Sequence, residues 1–183
     1  SLKGNHNLEN VLFIIGIGKI LNIPNEVISQ FLKTTKALEH RLENFFLKQN
    51  TLFINDSKGT NVESTIKAIE AFKNRIVLIA GGENKKICNE ELIKKINERV
   101  GFVYLIGETG TILAEEMNKV GYKKYKNLGT LEKVLLDIKQ NIDFEDSQTI
   151  LFSPATASFD QFKNFEERGR IFKELTNKIL GEK

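Results

Sequence analysis

Cysteine, histidine and long apolar runs are all scarce in this chain of 183 residues, and each scarcity excludes something. Cys88 is the one cysteine, so neither an internal disulfide nor a cysteine-based metal site can form, and it reads as a small packing residue. His6 and His40 are the two histidines. Neither falls in a Ser–His–Asp arrangement or a metal cluster, which leaves catalysis by positioned charges as the natural expectation. The longest apolar run, Val11 to Gly18, stops at Lys19, whereas a membrane-crossing helix needs about 20 such residues. No signal-peptide pattern opens the chain. The net charge is only +3, and lysines and acids interleave along the helical stretches. That is the pattern of solvated faces and not of a nucleic-acid footprint. The expectation is a cytoplasmic protein with no nucleic-acid and no membrane partner.

What is present is an alternation of apolar strands and amphipathic helices. The start is different: Val11, Leu12, Ile14, Ile15, Ile17, Ile20 and Leu21 make one helix apolar almost all round. Such a helix calls for burial, and little precedes it, so the chain is expected to be cut from something longer. Its Gly16-Ile17-Gly18 follows no strand and is not read as a nucleotide loop. Pro24 and Asn25 open a second helix over Glu26–Leu32, and a domain boundary is expected near residues 33–37. From Leu42 onwards two strands joined by Lys48-Gln49-Asn50 lead into strand–helix units, with strands at Arg75–Ala80, Phe102–Ile106, a short one near Tyr125, and Thr149–Ser153. A last helix is expected from about Phe159 to Leu180, with Ser158 as its cap and Phe159, Phe162, Phe165 and Phe172 as a core stripe. The fold class is therefore α/β: a Rossmann-like, mostly parallel sheet with helices on both faces.

Polar clusters stand just after these strands, where open α/β sheets bind ligands. Asn55-Asp56-Ser57-Lys58-Gly59-Thr60-Asn61 puts an acid, a lysine, two hydroxyls and two amides at a helix start, whose backbone N–H groups favour anions. Gly81-Gly82-Glu83-Asn84-Lys85-Lys86 lets the backbone approach a ligand and supplies a point charge for a carboxylate or phosphate. Ser153-Pro154-Ala155-Thr156-Ala157-Ser158 adds hydroxyls. Gly107-Glu108-Thr109-Gly110-Thr111 lacks the lysine of a phosphate loop and reads as a turn.

Taken together and in order, His6-Asn7-x-x-Asn10, Glu39-His40-Arg41-x-Glu43, the Asn55–Asn61 block, Gly81-Gly82 with Lys85, and Ser153-Pro154-Ala155-x-Ala157-Ser158-x-Asp160-Gln161-Phe162-x-x-Phe165-Glu166-x-Arg168-Gly169 resemble the Mur ligases. The Asp-Ser-Lys motif and the last block are similar to those of the members that add D-glutamate, and the resemblance covers nearly the whole chain. It implies an ATP-dependent, amide-forming ligase of peptidoglycan biosynthesis that joins D-glutamate to UDP-N-acetylmuramoyl-L-alanine through an acyl phosphate. It also implies a chain that is monomeric, with residues 1–36 the end of a central ATP-binding domain and residues 37–183 the C-terminal Rossmann-like domain. Carried over residue by residue, Asn7, Asn10, His40, Arg41 and Asp56 would bind the nucleotide. Lys58 and Thr60 would act at the reacting end, and Thr60, Lys85, Ser158 and the backbone at Phe165 would hold D-glutamate. No metal ligand is assigned here: the chain has no Gly-x-x-x-x-Gly-Lys-[Ser/Thr] motif, so Mg2+ and most phosphate contacts are expected in missing N-terminal and central domains, and the fragment alone is expected to be inactive. A related ligase such as folylpolyglutamate synthase, or a non-enzymatic Rossmann-like binding module, are the alternative readings.

Overall fold

The computed structural model describes residues 5–34, 38–83 and 89–181, with residues 5–10 described by their backbone alone. The chain divides into two compact units, residues 1–38 and 39–183. In the first unit α1 (Asn5–Ile20) and α2 (Asn25–Thr34) form a helical pair. Among its described residues Ile28 is the buried apolar side chain, while Leu12, Phe13, Ile17 and Ile20 are exposed within this chain. Gly16-Ile17-Gly18 lies inside α1.

The second unit is built on β1 (Glu43–Lys48), β2 (Thr51–Asn55), α3 (Val62–Glu70), β3 (Arg75–Gly81), α4 (Glu90–Arg99), β4 (Val100–Ile106), α5 (Thr109–Lys119), β5 (Tyr125–Gly129), α6 (Leu131–Asn141), β6 (Gln148–Phe152) and α7 (Phe165–Leu180). The six strands form one sheet in the order β1-β2-β6-β3-β4-β5. β1 and β2 are an antiparallel hairpin, with Gln49 in the left-handed region at its turn; every other pairing is parallel. The inner strands β3, β4 and β6 are mainly apolar and buried because both faces are covered, whereas the edge strands β1 and β5 carry polar residues. Alternate residues serve opposite layers. Ile76, Leu78 and Ala80 of β3 pack with α3, α4 and α5, and Val77 and Ile79 pack with α6 and α7. The expected mostly parallel α/β sheet with helices on both faces is what the chain forms.

Two elements depart from the reading of the sequence, the smaller being α5, which begins at Thr109 inside the stretch Gly107–Thr111 read as a turn. The last helix begins at Phe165, not Phe159. Asn164 is the better cap: its side chain accepts the Glu167 N–H at 2.7 Å, and the Glu167 carboxylate accepts the Lys163 N–H at 2.7 Å. Ser158 instead sits in a loop, where its carbonyl accepts from the Gln161 and Phe162 N–H groups. The phenylalanine stripe therefore breaks up. Phe172 is fully buried, Phe162 and Phe165 are half-buried, and Phe159 is exposed.

The position of β6 creates a topological switch point. It lies between β2 and β3, and the helix after β2 covers one face of the sheet while the helix after β6 covers the other. At such a switch point the loops leaving neighbouring strands diverge and leave space above their carboxyl ends.

Candidate functional site

The site grows from the residue that ends β2. Asn55, Asp56 and Ser57 are buried, and Lys58 emerges into solvent. The Asp56 N–H donates to the Phe152 carbonyl at 2.8 Å, extending the β2–β6 pairing one step beyond the strand. Asn61 then caps α3 by accepting the Ser64 N–H at 2.8 Å. Asp56 is 5% exposed. One carboxyl oxygen accepts the Leu42 N–H at 3.1 Å and the other accepts the Ser153 hydroxyl at 2.7 Å. Ser153 Oγ lies 2.9 Å from Thr65 Oγ1, so the acid is tied to α3 and to the loop after β6. Burial pushes this carboxyl up to about 6, against the lowering effects of Ser153, the Leu42 N–H and the charges of Arg41 and Arg168.

Arg168 binds the two crest loops together. Its side chain is fully buried. Nε donates to Ser57 Oγ at 3.0 Å, Nη2 to the Ser57 carbonyl at 2.8 Å, and Nη1 to the carbonyls of Thr156 and Ala157 at 3.0 and 3.1 Å. No carboxylate is among these partners. Burial lowers the guanidinium to about 10, opposed by the charges of Asp160 and Asp56. Gly82 fits between the same loops: a β-carbon there would meet the Ala157 carbonyl and stand 2.7 Å from Thr156 Oγ1.

His40 forms the other side. It is 5% exposed and adopts φ +63°, and Leu42 follows at φ +43°, so this turn is held away from the usual backbone regions. The His40 carbonyl accepts the Lys58 N–H at 3.0 Å. The Lys58 ammonium lies 4.5 Å from the centre of the Phe165 ring, and the same ring meets the His40 imidazole edge-on at 6.5 Å. Glu39, His40 and Glu43 place donor atoms within 4.8 Å of one another. Lys173 occupies both acids, at 2.8 and 2.7 Å, so they form an ion triad with a protein cation.

The structure thus brings His40, Asp56, Lys58 and Phe165 into one constellation. Thr60 joins it through its N–H, which donates to the Lys58 carbonyl at 2.8 Å. Arg41 is exposed beside it, and Ser158 is buried in the loop after β6. Asn7 and Asn10 lie on α1, in the other unit, and their side chains are outside the described residues, as is all of Lys85. Sequence reasoning gave no role to Asn55, Ser57 or Arg168, and read Gly169 only as a close-packing residue, although all four stand in the quoted motifs. One signal was available. Arg168 occupies a core-facing position between Phe165 and Phe172 at helical spacing, and a charge on such a face needs a buried set of partners.

Residues 40–156 match the family described as Mur ligase, glutamate ligase domain. The UDP-N-acetylmuramoylalanine–D-glutamate ligase of Fusobacterium nucleatum is 46% identical over 183 residues, which is 99% of this chain and 42% of that protein. The protein of the same name from Caldicellulosiruptor bescii is 40% identical over 98% of this chain and 39% of its own length. The chain therefore spans about two fifths of the length of these relatives. Among solved structures, Mycobacterium tuberculosis folylpolyglutamate synthase complexed with ADP aligns over 93% of this chain and 41% of its own, with a TM-score of 0.64 and 11% identity. That likeness concerns the fold alone. With the fold and the match over residues 40–156 in agreement, the chain belongs to the Mur ligase family and carries its glutamate ligase domain.

Proposed function

We propose that this chain is the C-terminal portion of an ATP-dependent ligase that joins D-glutamate to UDP-N-acetylmuramoyl-L-alanine. The observation that carries this reading is the convergence of the Asn55–Asn61 loop, the His40 turn, the loop after β6 and the α7 N-terminus at one sheet crest, in a chain 46% identical to a ligase of that name. Residues 1–36 are then the end of a central ATP-binding domain, and residues 37–183 the domain that closes over the site.

The chemistry needs an acid activated for attack by an amine. ATP supplies the phosphoryl group that turns the substrate carboxylate into an acyl phosphate; the D-glutamate amine displaces phosphate and the amide forms. His40, Arg41 and Asp56, with Asn7 and Asn10, serve the nucleotide. Lys58, exposed at the tip of its loop and held over Phe165, brings positive charge to the reacting end together with Thr60. Ser158, the backbone at Phe165 and Lys85 hold the amino-acid carboxylates. A dianionic amino acid needs such donors converging from several loops. Mg2+ ligands belong elsewhere in the parent protein: the grouped acids Glu39 and Glu43 are already taken by Lys173. We further place the enzyme in the cytoplasm, acting as a monomer; among the described residues no helix is long and apolar enough to cross a membrane.

The test compares two chains. Purified residues 1–183, given ATP, D-glutamate and UDP-N-acetylmuramoyl-L-alanine, should release no ADP. A parent-length chain should release ADP only when D-glutamate is present, and Lys58→Ala should lower its kcat/KM by at least about tenfold, the loss expected of one charge-stabilising contact. Turnover by the short chain, or a parent that uses L-glutamate on a folate and not D-glutamate, would overturn the proposal.

A further inference from the structure

The ring of His40 sits in a socket whose chemistry decides which ring nitrogen carries the proton. One wall is Gly169: a β-carbon at that position would overlap Nδ1 and lie 2.8 Å from Cγ, so only glycine lets the imidazole lie against α7. Another wall is Asn55. Its side-chain oxygen accepts the Ser57 N–H at 3.2 Å, which orients the amide and turns its NH2 group towards the histidine. That NH2 group lies 2.9 Å from His40 Nδ1, 3.2 Å from the Gly169 carbonyl and 3.3 Å from Glu43 Oε2. All three of these neighbours can accept, and an amide nitrogen of this kind cannot.

A proton on Nδ1 would therefore point at another N–H. The neighbouring acids do not reverse this. Glu43 Oε2 is 3.8 Å from Nδ1 and already accepts the His40 backbone N–H at 3.0 Å. Glu39 Oε1 is 3.9 Å from Nε2. Lys173 of α7 donates to both acids, drawing their other contacts towards itself and offsetting one of the two charges. The remaining arrangement has Nδ1 accepting from Asn55 and Nε2 carrying the hydrogen, which leaves Nε2–H as the ring's available donor.

We propose that Asn55 and Gly169 are positioning residues that hold His40 as the Nε2–H tautomer, so that the imidazole offers a hydrogen-bond donor to an acceptor atom of the bound nucleotide. The identity of that acceptor rests on the function proposed above; the tautomer does not. The socket also accounts for two residues of the sequence motifs that otherwise have no role: the asparagine that ends β2, and the glycine in the middle of α7 where a better helix former would be expected.

Long-range 1H–15N correlation on the 15N-labelled 183-residue chain at pH 7.5 reads the tautomer directly, since protonated and unprotonated ring nitrogens resonate far apart. His40→Gln identifies the His40 signals against those of His6. The expected result is an unprotonated Nδ1 and a protonated Nε2. In Asn55→Asp the carboxylate can only accept, so Nδ1 should move to the protonated range. In Gly169→Ala the ring is pushed from its socket, and the two nitrogens should shift towards the averaged values of a solvent-exposed histidine. A wild-type spectrum with Nδ1 protonated, or with averaged values, overturns the proposal, and so does a folded Asn55→Asp chain whose Nδ1 stays unprotonated. Because the wild-type spectrum decides by itself, failure of either variant to fold leaves the test intact. Because it involves no turnover, its outcome is independent of the ADP-release assay.

Discussion

Two polar networks in the second unit use similar groups to opposite ends. On the β4–β5 side, Tyr104 donates to Asp137 at 2.7 Å and Lys126 donates to both oxygens of the same acid at 2.7 and 2.8 Å. Burial raises Asp137, but the hydrogen bonds from Lys126 and Tyr104 outweigh it and hold the carboxyl below its usual range. Tyr104 is pushed well above its ordinary value, by burial first and then by its bond to Asp137. That network is closed: acid, base and hydroxyl satisfy one another at the rim of the sheet. At the crest the two buried charges, Arg168 and Asp56, are kept apart. Arg168 is paired with carbonyls and hydroxyls only, and Asp56 with an N–H and a hydroxyl. The lesson is one of cost. A closed pair can be removed cheaply, whereas separated buried charges hold loops in a set geometry and leave the local field unneutralised, the condition a site for charged substrates requires.

The sharpest way to break this comparison is Arg168→Ala. Several buried acceptors would lose their donor, and each orphaned group costs about 1–3 kcal/mol, so urea unfolding should show a loss of about 3–5 kcal/mol. Arg168→Lys should recover little of it, because one ammonium cannot span Ser57, Thr156 and Ala157 together. A loss below about 1 kcal/mol would mean that the crest is no more costly to disturb than the rim.

Asp56 gives the next largest effect, and its sign is the reverse of a salt-bridged acid. Its folded value of about 6 lies above the ordinary 3.8, so the folded state binds the proton more tightly. Its contribution is fully present below about pH 4 and is lost as pH rises through 6, by about 3 kcal/mol over the interval at 1.36 kcal/mol per unit. Asp56→Asn should remove that slope. The measurement is the difference in unfolding free energy between wild type and variant across pH 4–7.5, which should move in the variant's favour as pH rises.

The rim should respond less. Tyr104→Phe removes one hydrogen bond to an acid that keeps its lysine, for a loss of about 1 kcal/mol. Lys126→Ala breaks an ion pair whose lysine is 42% exposed, for a loss of at most about 1 kcal/mol that shrinks in high salt. Thermal unfolding with and without added salt checks both. If Lys126→Ala rivalled Arg168→Ala, the contrast between the two networks would collapse.

Much of the fold was legible before any coordinates. The continuous apolar runs Ile76–Ala80 and Thr149–Phe152 announce strands covered on both faces, and the helical spacing of Ile66 and Ile69 announces a helix between strands. The start of α7 was not legible, because Ser158 and Asn164 are both competent caps and only the loop after β6 chooses between them. Of the site, Asp56, Lys58, Thr60 and Ser158 could be picked out as residue types standing after strands, and His40 by the Glu-His-Arg motif that the family resemblance rests on. Arg168 and Asn55 could not be given roles, and Gly169 no packing partner, because the residues they meet lie far away in sequence: Arg168 to Ser57, Asn55 to Gly169, Gly169 to His40.

By itself, then, the sequence determined the layered α/β architecture and the polar motif after β2, since both follow from local periodicity and from short runs of residue types. Tertiary structure alone decided that β6 enters between β2 and β3, that a fully buried arginine joins two crest loops, and that the Asp56 carboxyl is held between a backbone N–H and a serine and not left open to water. The physical reason is range. Apolar patterning acts over a few residues, while strand order and the desolvation of a charge depend on every segment that packs around it.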